Sequence, residues 1–357
     1  MFSINPLIAN YFPKIKLTFY GLALTLLISM LSLYLSTFPL MKQYGLSALT
    51  LAIVLGIVVG NTLYSKMIGR CGQGVQFSKQ YLLRAGIILY GFNLTFQDIA
   101  TIGLSSIIVD LIIISSTFTL ACWAGKHLFH IDAQTTMLIG AGASICGAAA
   151  VMATEPVVKA DSNKLAVAVS TVVIFGTIAM FLYPWLYELN EQYHWWIVSQ
   201  QNFGIYTGST IHEVAQVVAA GHSIGEEASN TAVITKMIRV MMLAPFLVFL
   251  SYYINRKDRQ SNSQKYTIWQ QIPWFAVWFI IIAGFNSLHI LPQSTVSVLL
   301  DIDRIFLAMA MAALGLTTHI SAIKQAGLKP ILLALFLFCW LIFGGGVINH
   351  FIQMIFV

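Results

Sequence analysis

Two segments concentrate the residue types that could act on a ligand. Gly140 to Pro156 sets Gly140, Gly142 and Gly147 among Ser144, Cys146, Ala148 and further alanines, with Glu155 near its end. Clustered glycine lets a helix break, and a break presents unpaired N–H and C=O groups. Ser144, Cys146, Gly147 and Ala148 are therefore candidate substrate-binding positions, and Glu155 is a candidate to take up a proton or cation. Tight packing of small residues against a neighbouring helix is the competing explanation. The second segment places Thr210, His212, Glu213 and Gln216 inside an otherwise apolar run. Ionisable groups at membrane depth mark substrate or ion pathways by default, although a helix end meeting water would carry the same residues. Thr210 and His212 are assigned to substrate, and Glu213 and Gln216 to coupling or charge relay.

Four more charges lie within apolar runs: Arg84 near the start of one, Asp110, and the pair Lys236 and Arg239. Asp110 suits either a relay or a structural ion pair. Lys236 and Arg239 stand three apart, on one face of a helix. They could draw an anion into a cavity, or extend along apolar surface toward an interface. Other chemistries fail on spacing. His212-Glu213 opens an HExxH zinc motif, but the second histidine is replaced by Gln216. No GxSxG nucleophile elbow is present. Cys71, Cys122, Cys146 and Cys339 form no CxxC pair, so neither a metal site nor a disulfide framework is indicated. A phosphate loop of the form GxxxxGK[ST] is missing, which excludes a self-contained ATP-driven pump. No catalytic residue, resident metal or cofactor is expected, and the small ions in view are a coupling Na+ or H+.

The elements that position these residues follow from composition. Of 357 residues, 58% are hydrophobic and 9% charged, where a soluble chain carries about 25% charged residues. A water-facing surface cannot be built from this inventory, so an all-α polytopic membrane protein is expected. Runs of spanning length read at about 18–36, 45–64, 80–96, 101–125, 133–155, 164–187, 203–222, 230–254, 268–288, 298–317 and 330–355, which makes eleven. The formal charge of +6 is spread between these runs rather than gathered on one patch, so nucleic-acid binding is not expected. With the N-terminus cytoplasmic, thirteen lysines and arginines fall inside and four outside (Lys42, Lys159, Lys164 and Arg304), which fixes N-in, C-out by the positive-inside rule.

Internal similarity points to repeats. GFNLTFQDIATIGL (Gly91 to Leu104) matches GLTTHISAIKQAGL (Gly315 to Leu328) at an offset of 224. An odd number of spans separates the copies, as in an inverted repeat. An extra helix at 18–36 followed by repeats at 45–187 and 203–355, in one transmembrane domain, is the expected organisation. GASICGAAAVMATEP (Gly142 to Pro156) also pairs with GSTIHEVAQVVAAG (Gly208 to Gly221), each followed by a Ser-Asn pair able to cap the next helix. Simple parity makes these two segments parallel, while their pairing as repeats would make them inverted, and the sequence leaves both arrangements open.

With those two segments and the Ser-Asn-Lys-Leu-Ala-Val-Ala-Val stretch from Ser162, the chain resembles the YeiH-like family of bacterial inner-membrane proteins, whose label is sulfate exporter. The resemblance spans nearly the whole chain. It implies a relationship to the bile acid:sodium symporter and cation/proton antiporter superfamily. That fold has inverted five-helix repeats, a core domain with two broken helices crossing near the midplane, and a panel domain. By position the breaks would fall at Ser144 to Ala148 and near Thr210 to Glu213. The function expected is a secondary transporter exporting a small anion, sulfate or a related sulfur oxyanion, driven by an ion or substrate gradient. The alternative is a non-transporting membrane enzyme or assembly scaffold. The expected partners are the anion and the lipid bilayer of a bacterial inner membrane, with association into a homo-oligomer left open.

Overall fold

The computed structural model describes residues 6–38, 41, 47–194, 199–257, 273–318 and 327–356. Lys42, Arg259, Lys265 and Lys324, counted above for orientation, lie outside the described residues, as does 319–326 of the second repeat copy. The side chains of Lys14, Lys16, Arg256 and Lys257 also lie outside the description.

Every described element is a helix. In chain order they are α1 (Pro6–Leu35), α2 (Ala48–Val59), α3 (Ser65–Phe77), α4 (Leu83–Tyr90), α5 (Phe96–His127), α6 (Ala133–Ser144), α7 (Ala148–Val158) and α8 (Ser162–Tyr193). There follow α9 (Gln200–Thr210), α10 (Val214–Ile224), α11 (Glu226–Met241), α12 (Leu243–Lys257), α13 (Trp274–Asn286), α14 (Gln293–Thr317) and α15 (Leu328–Phe356). Among the described residues five helices are long and apolar enough to cross a bilayer: Thr18–Leu35, Phe96–His127, Ser162–Tyr193, Glu226–Ile254 and Leu328–Ile355. The chain is thus an all-α polytopic membrane protein. It divides into two compact units, residues 1–95 with 278–320, and 96–277 with 321–357.

In the first unit the helical path runs from Ala48 to Tyr90 without a capped end, because π-turns at Gly60–Tyr64 and Ser78–Leu82 join α2, α3 and α4. The polar stretch expected as a loop between the second and third spans is therefore helical. Small residues let backbones meet: a Cβ on Gly21 would fall 2.6 Å from Gly74 Cα, and one on Gly56 would fall 3.0 Å from Gly315 Cα. Lys79 Nζ donates to Thr317 Oγ1 at 3.1 Å. Asn286 Nδ2 donates to the carbonyls of Phe92 and Leu94 at 2.9 and 3.0 Å, satisfying groups left over where the chain leaves α4.

The second unit contains both glycine-rich segments, and both are broken. α6 stops at Ser144 and α7 starts at Ala148; α9 stops at Thr210 and α10 starts at Val214. The halves do not run on across the unit. Gln134 Nε2, in the first turn of α6, donates to the carbonyls of Val158 and Lys159 at 3.1 and 3.0 Å, and Lys164 pairs with Asp132 at 3.0 Å. The start of α6 and the end of α7 are therefore neighbours, so the run expected as a span at 133–155 returns as a re-entrant hairpin. The second segment does the same: a Cβ on Gly225, just after α10, would fall 2.6 Å from Gln200 Oε1 at the start of α9.

α8 connects the two hairpins and settles their orientation. Its first turn carries Lys164 at the mouth of the first hairpin, Val172 lies against Gly142 and Gly147 at its tip, and Tyr187 contacts the Phe203 ring at 5.1 Å in the second hairpin. With 32 residues, α8 is about 48 Å long. The hairpins thus enter from opposite ends of one long helix, which corrects the parallel arrangement that parity suggested. Each outgoing arm has a dedicated partner. On α6, Thr136 packs at Gly125 of α5 and Gly140 at Ala121. On α9, Gly204 and Gly208 let its backbone approach Ala228 and Ala232 of α11, the close packing that small residues permit.

Candidate substrate site at the hairpin tips

Breaking a helix at membrane depth leaves carbonyls at one end and N–H groups at the other, with no water to satisfy them. At the C-terminal ends the solution is cationic. Arg239 donates from Nε to Ser144 O at 2.9 Å, and from Nη2 to Ser144 O at 2.6 Å and Ala143 O at 3.1 Å. Its Nη1 reaches Ile211 O at 3.4 Å. Lys236 Nζ donates to Ile145 O at 2.9 Å and Ile211 O at 2.6 Å. One ammonium thus holds a carbonyl from each tip. Both side chains are fully buried, and the negative ends of the α6 and α9 dipoles face positive charge. Their place on one face of α11 was read from the sequence; their role as caps of both breaks was not. Neither extends toward an interface.

Asp110 completes the charge set from α5. Its carboxylate is fully buried, has no hydrogen-bond partner among the described residues, and lies within electrostatic reach of Arg239 and then Lys236. Ser106, one turn before it, shares a hydrogen bond of 2.8 Å with Thr235, one turn before Arg239.

The N-terminal ends differ from each other. α10 is closed by its own residues, since the Glu213 carboxylate accepts the Gln216 N–H and Gln216 Oε1 accepts the Glu213 N–H at 3.0 Å, a capping box. α7 begins after Gly147, which has no side chain to cap it; Ala148 is half-buried and Ala149 exposed. Glycine is required here, because φ +69° with ψ −134° is closed to other residues. A Cβ would also fall 2.6 Å from Glu213 Cγ, so the Glu213 side chain lies against the first tip while capping the second.

Several expected ligand donors are engaged within the protein. The Ser144 hydroxyl donates to Ala141 O at 3.4 Å, and the Thr210 hydroxyl donates to Tyr206 O. The Gly147 N–H donates to Gly142 O at 3.0 Å. In an apolar medium a hydroxyl on a helix satisfies itself on the preceding turn, and a chain reversal uses the glycine N–H to close the turn. Cys146 is buried, and its sulfur accepts the Ala150 N–H. His212 is buried at the second tip with Nδ1 unpartnered among the described residues, and so is Gln216 Nε2. Glu155 is not brought to the tips: it stands seven residues along α7, about 10 Å toward the mouth.

Some positions carry no sequence flag. Gly176 of α8 makes the space that the Gln216 amide fills; an isolated glycine within a helical run was its one signal. Asn349 of α15 donates to Ser209 Oγ at 3.1 Å, and Tyr206 donates to Ile342 O at 2.8 Å, fixing α9 to α15. Nothing marks such pairs in sequence, since their partners lie more than a hundred residues away.

The family model described as conserved hypothetical protein 698 matches residues 20–334. A UPF0324 membrane protein of Yersinia pestis is 62% identical over 336 residues, covering 94% of this chain and 93% of that protein. A UPF0324 membrane protein of Photorhabdus laumondii is 60% identical, covering 94% of each chain. The UPF0324 inner membrane protein YeiH of Escherichia coli K12 is 58% identical over 335 residues, again covering 94% of each.

Proposed function

Since this chain belongs to the UPF0324 family of membrane proteins, we propose that it is a secondary transporter of a small anion, with export of sulfate or a related sulfur oxyanion as its activity. The observation that carries this reading is the asymmetry of the helix ends at the tips. Both carbonyl ends, where a metal cation would bind, are held by Lys236 and Arg239. Of the two N-terminal ends, the one at α7 has no cap from Gly147 and no oxygen acceptor, only the Cys146 sulfur on the Ala150 N–H. Backbone N–H groups at a helix start, reinforced by the dipole, suit an oxyanion. A compact anion fits a site built on backbone donors better than a bulky amphiphile does.

The same asymmetry favours coupling to protons over sodium. The carbonyl positions at the breaks already hold cations that belong to the chain, whereas Glu213 lies against Gly147 and carries a proton-accepting group to the place where the anion would bind. An anion and an ionised Glu213 repel, so entry of the anion accompanies protonation or withdrawal of Glu213. His212 takes the substrate side, and Asp110 balances the two cations.

The test is uptake of labelled sulfate, sulfite and thiosulfate by liposomes containing the purified protein, with a proton gradient, a sodium gradient or neither. Flux above protein-free liposomes, stimulated by the proton gradient and indifferent to sodium, is expected. In Glu213→Gln the response to pH should disappear while the protein remains folded. No flux of any of these anions under any gradient would sink the reading.

A further inference from the structure

A second polar feature of the same unit lies at the mouth of the first hairpin, away from the tips. A cavity of about 310 Å³ is lined there by His130, Asp132, Thr135, Asn163, Lys164 and Lys329, with apolar neighbours. The first turns of three helices meet around it: α6 contributes Thr135, α8 contributes Asn163 and Lys164, and α15 contributes Lys329. Each directs the positive end of its dipole toward this region.

The charge balance is positive. The cavity's one carboxylate, Asp132, is already engaged: it accepts the Thr135 N–H at 3.1 Å, the Thr135 hydroxyl at 2.7 Å and the Lys164 ammonium at 3.0 Å. Lys164 is held further by Gln134 Oε1 at 2.7 Å. Lys329 and His130 are exposed and have no hydrogen-bond or ion-pair partner among the described residues. The starts of α6 and α8 are capped by the Asp132 and Asp161 carboxylates, so the donors left in this concave space are the lysine and histidine without partners, the Asn163 amide and the start of α15.

We propose that this cavity is a binding site for a compact oxyanion, held chiefly by Lys329 and His130 with Asn163. The anion can be free sulfate or phosphate, or the phosphate of an anionic lipid headgroup, since the mouth of a re-entrant hairpin lies where the bilayer meets water. The site stands on its own residues and does not depend on transport through the tips.

Two arms separate the sources. Purified full-length protein is titrated with sulfate and with inorganic phosphate at constant ionic strength, following its thermal unfolding; in parallel it is placed in nanodiscs of phosphatidylcholine with and without phosphatidylglycerol. Lys329→Gln and His130→Gln are compared with wild type, and Lys329→Arg serves as the conservative control. Stabilisation by the free anions that weakens about tenfold in apparent affinity in Lys329→Gln and persists in Lys329→Arg supports the site with a free anion as ligand. Stabilisation only by phosphatidylglycerol, with the same dependence on Lys329, supports it with a headgroup as ligand. Absence of stabilisation in both arms, or stabilisation unchanged in both glutamine variants, overturns the proposal. Because these readouts are binding to folded protein, a failure here is distinct from failure of the uptake experiment.

Discussion

Arg239 and Lys236 show how a buried cation can belong to the fold as much as to function. Sequence places them in an apolar run and therefore flags them, but their partners are main-chain carbonyls 91 to 96 residues upstream and 25 to 28 residues upstream. Carbonyls carry no residue identity, so such a cap cannot be read from residue types. Glu213 and Gln216 were legible as a polar pair three apart, and their reciprocal capping follows from that spacing. Removing Arg239 would leave the carbonyls of Ala143 and Ser144 unsatisfied and Asp110 without one of the two cations within its electrostatic reach. Arg239→Gln is accordingly expected to lower stability by about 3–5 kcal/mol, the range for breaking a buried charged contact, with Arg239→Lys less affected. Reversible unfolding in mixed micelles measures this. A loss within experimental error would mean that the carbonyls find water, and that the cations are not needed as caps.

The two hairpins were half legible. Glycine and alanine clusters pointed to breaks, and the breaks fall at residues 145–147 and 211–213. Their direction was hidden, because hydropathy reports how apolar a run is and not whether it crosses or returns. The return depends on a turn that only Gly147 can make and on a local tie at the mouth. Gly147→Ala should cost about 1–3 kcal/mol from its backbone conformation, before its Cβ meets Glu213. The same substitution at Gly69, where a Cβ meets nothing within 4 Å, should be neutral or nearly so. The tie at the mouth has a pH signature. Partial burial of Asp132 opposes its ionisation, but the Thr135 hydroxyl and N–H and the Lys164 ammonium outweigh it and hold its carboxyl below the usual range. With the folded value depressed, the stabilisation is complete above the ordinary carboxyl value of about 4 and is lost as pH falls through the folded value. Asp132→Asn should therefore lie below wild type at neutral pH and converge on it in acid. The difference should be small for a half-exposed pair, and is best read as faster amide exchange in the first turn of α6. A gap that widens on acidification would contradict the assigned sign.

Across the whole chain, two returning hairpins change the sidedness of the segment between them and leave the rest as it was. The first keeps Lys159 and Lys164 on the side of Lys126, and the second restores the original alternation, so the orientation expected from the charge pattern, N-in and C-out, is unchanged by the two returns. On that expected orientation the charge bias of the sequence sharpens: moving Lys159 and Lys164 to the inside changes the expected count outside the spans from thirteen against four to fifteen against two. Lys159 and Lys164 were the awkward members of the earlier count, and the hydrogen bonds of Gln134 and the ion pair of Lys164 explain why. Single cysteines at His130, Asn163 and His194, in a background lacking the four native cysteines, test this with an impermeant maleimide on intact cells. His130→Cys and Asn163→Cys are expected to stay unlabelled until the membrane is opened, while His194→Cys labels from outside. Each of the three side chains is exposed, so reactivity reports sidedness rather than burial. If Asn163→Cys labels from the side opposite His130→Cys, the first segment crosses instead of returning, and the two tips could not meet on Lys236 as described.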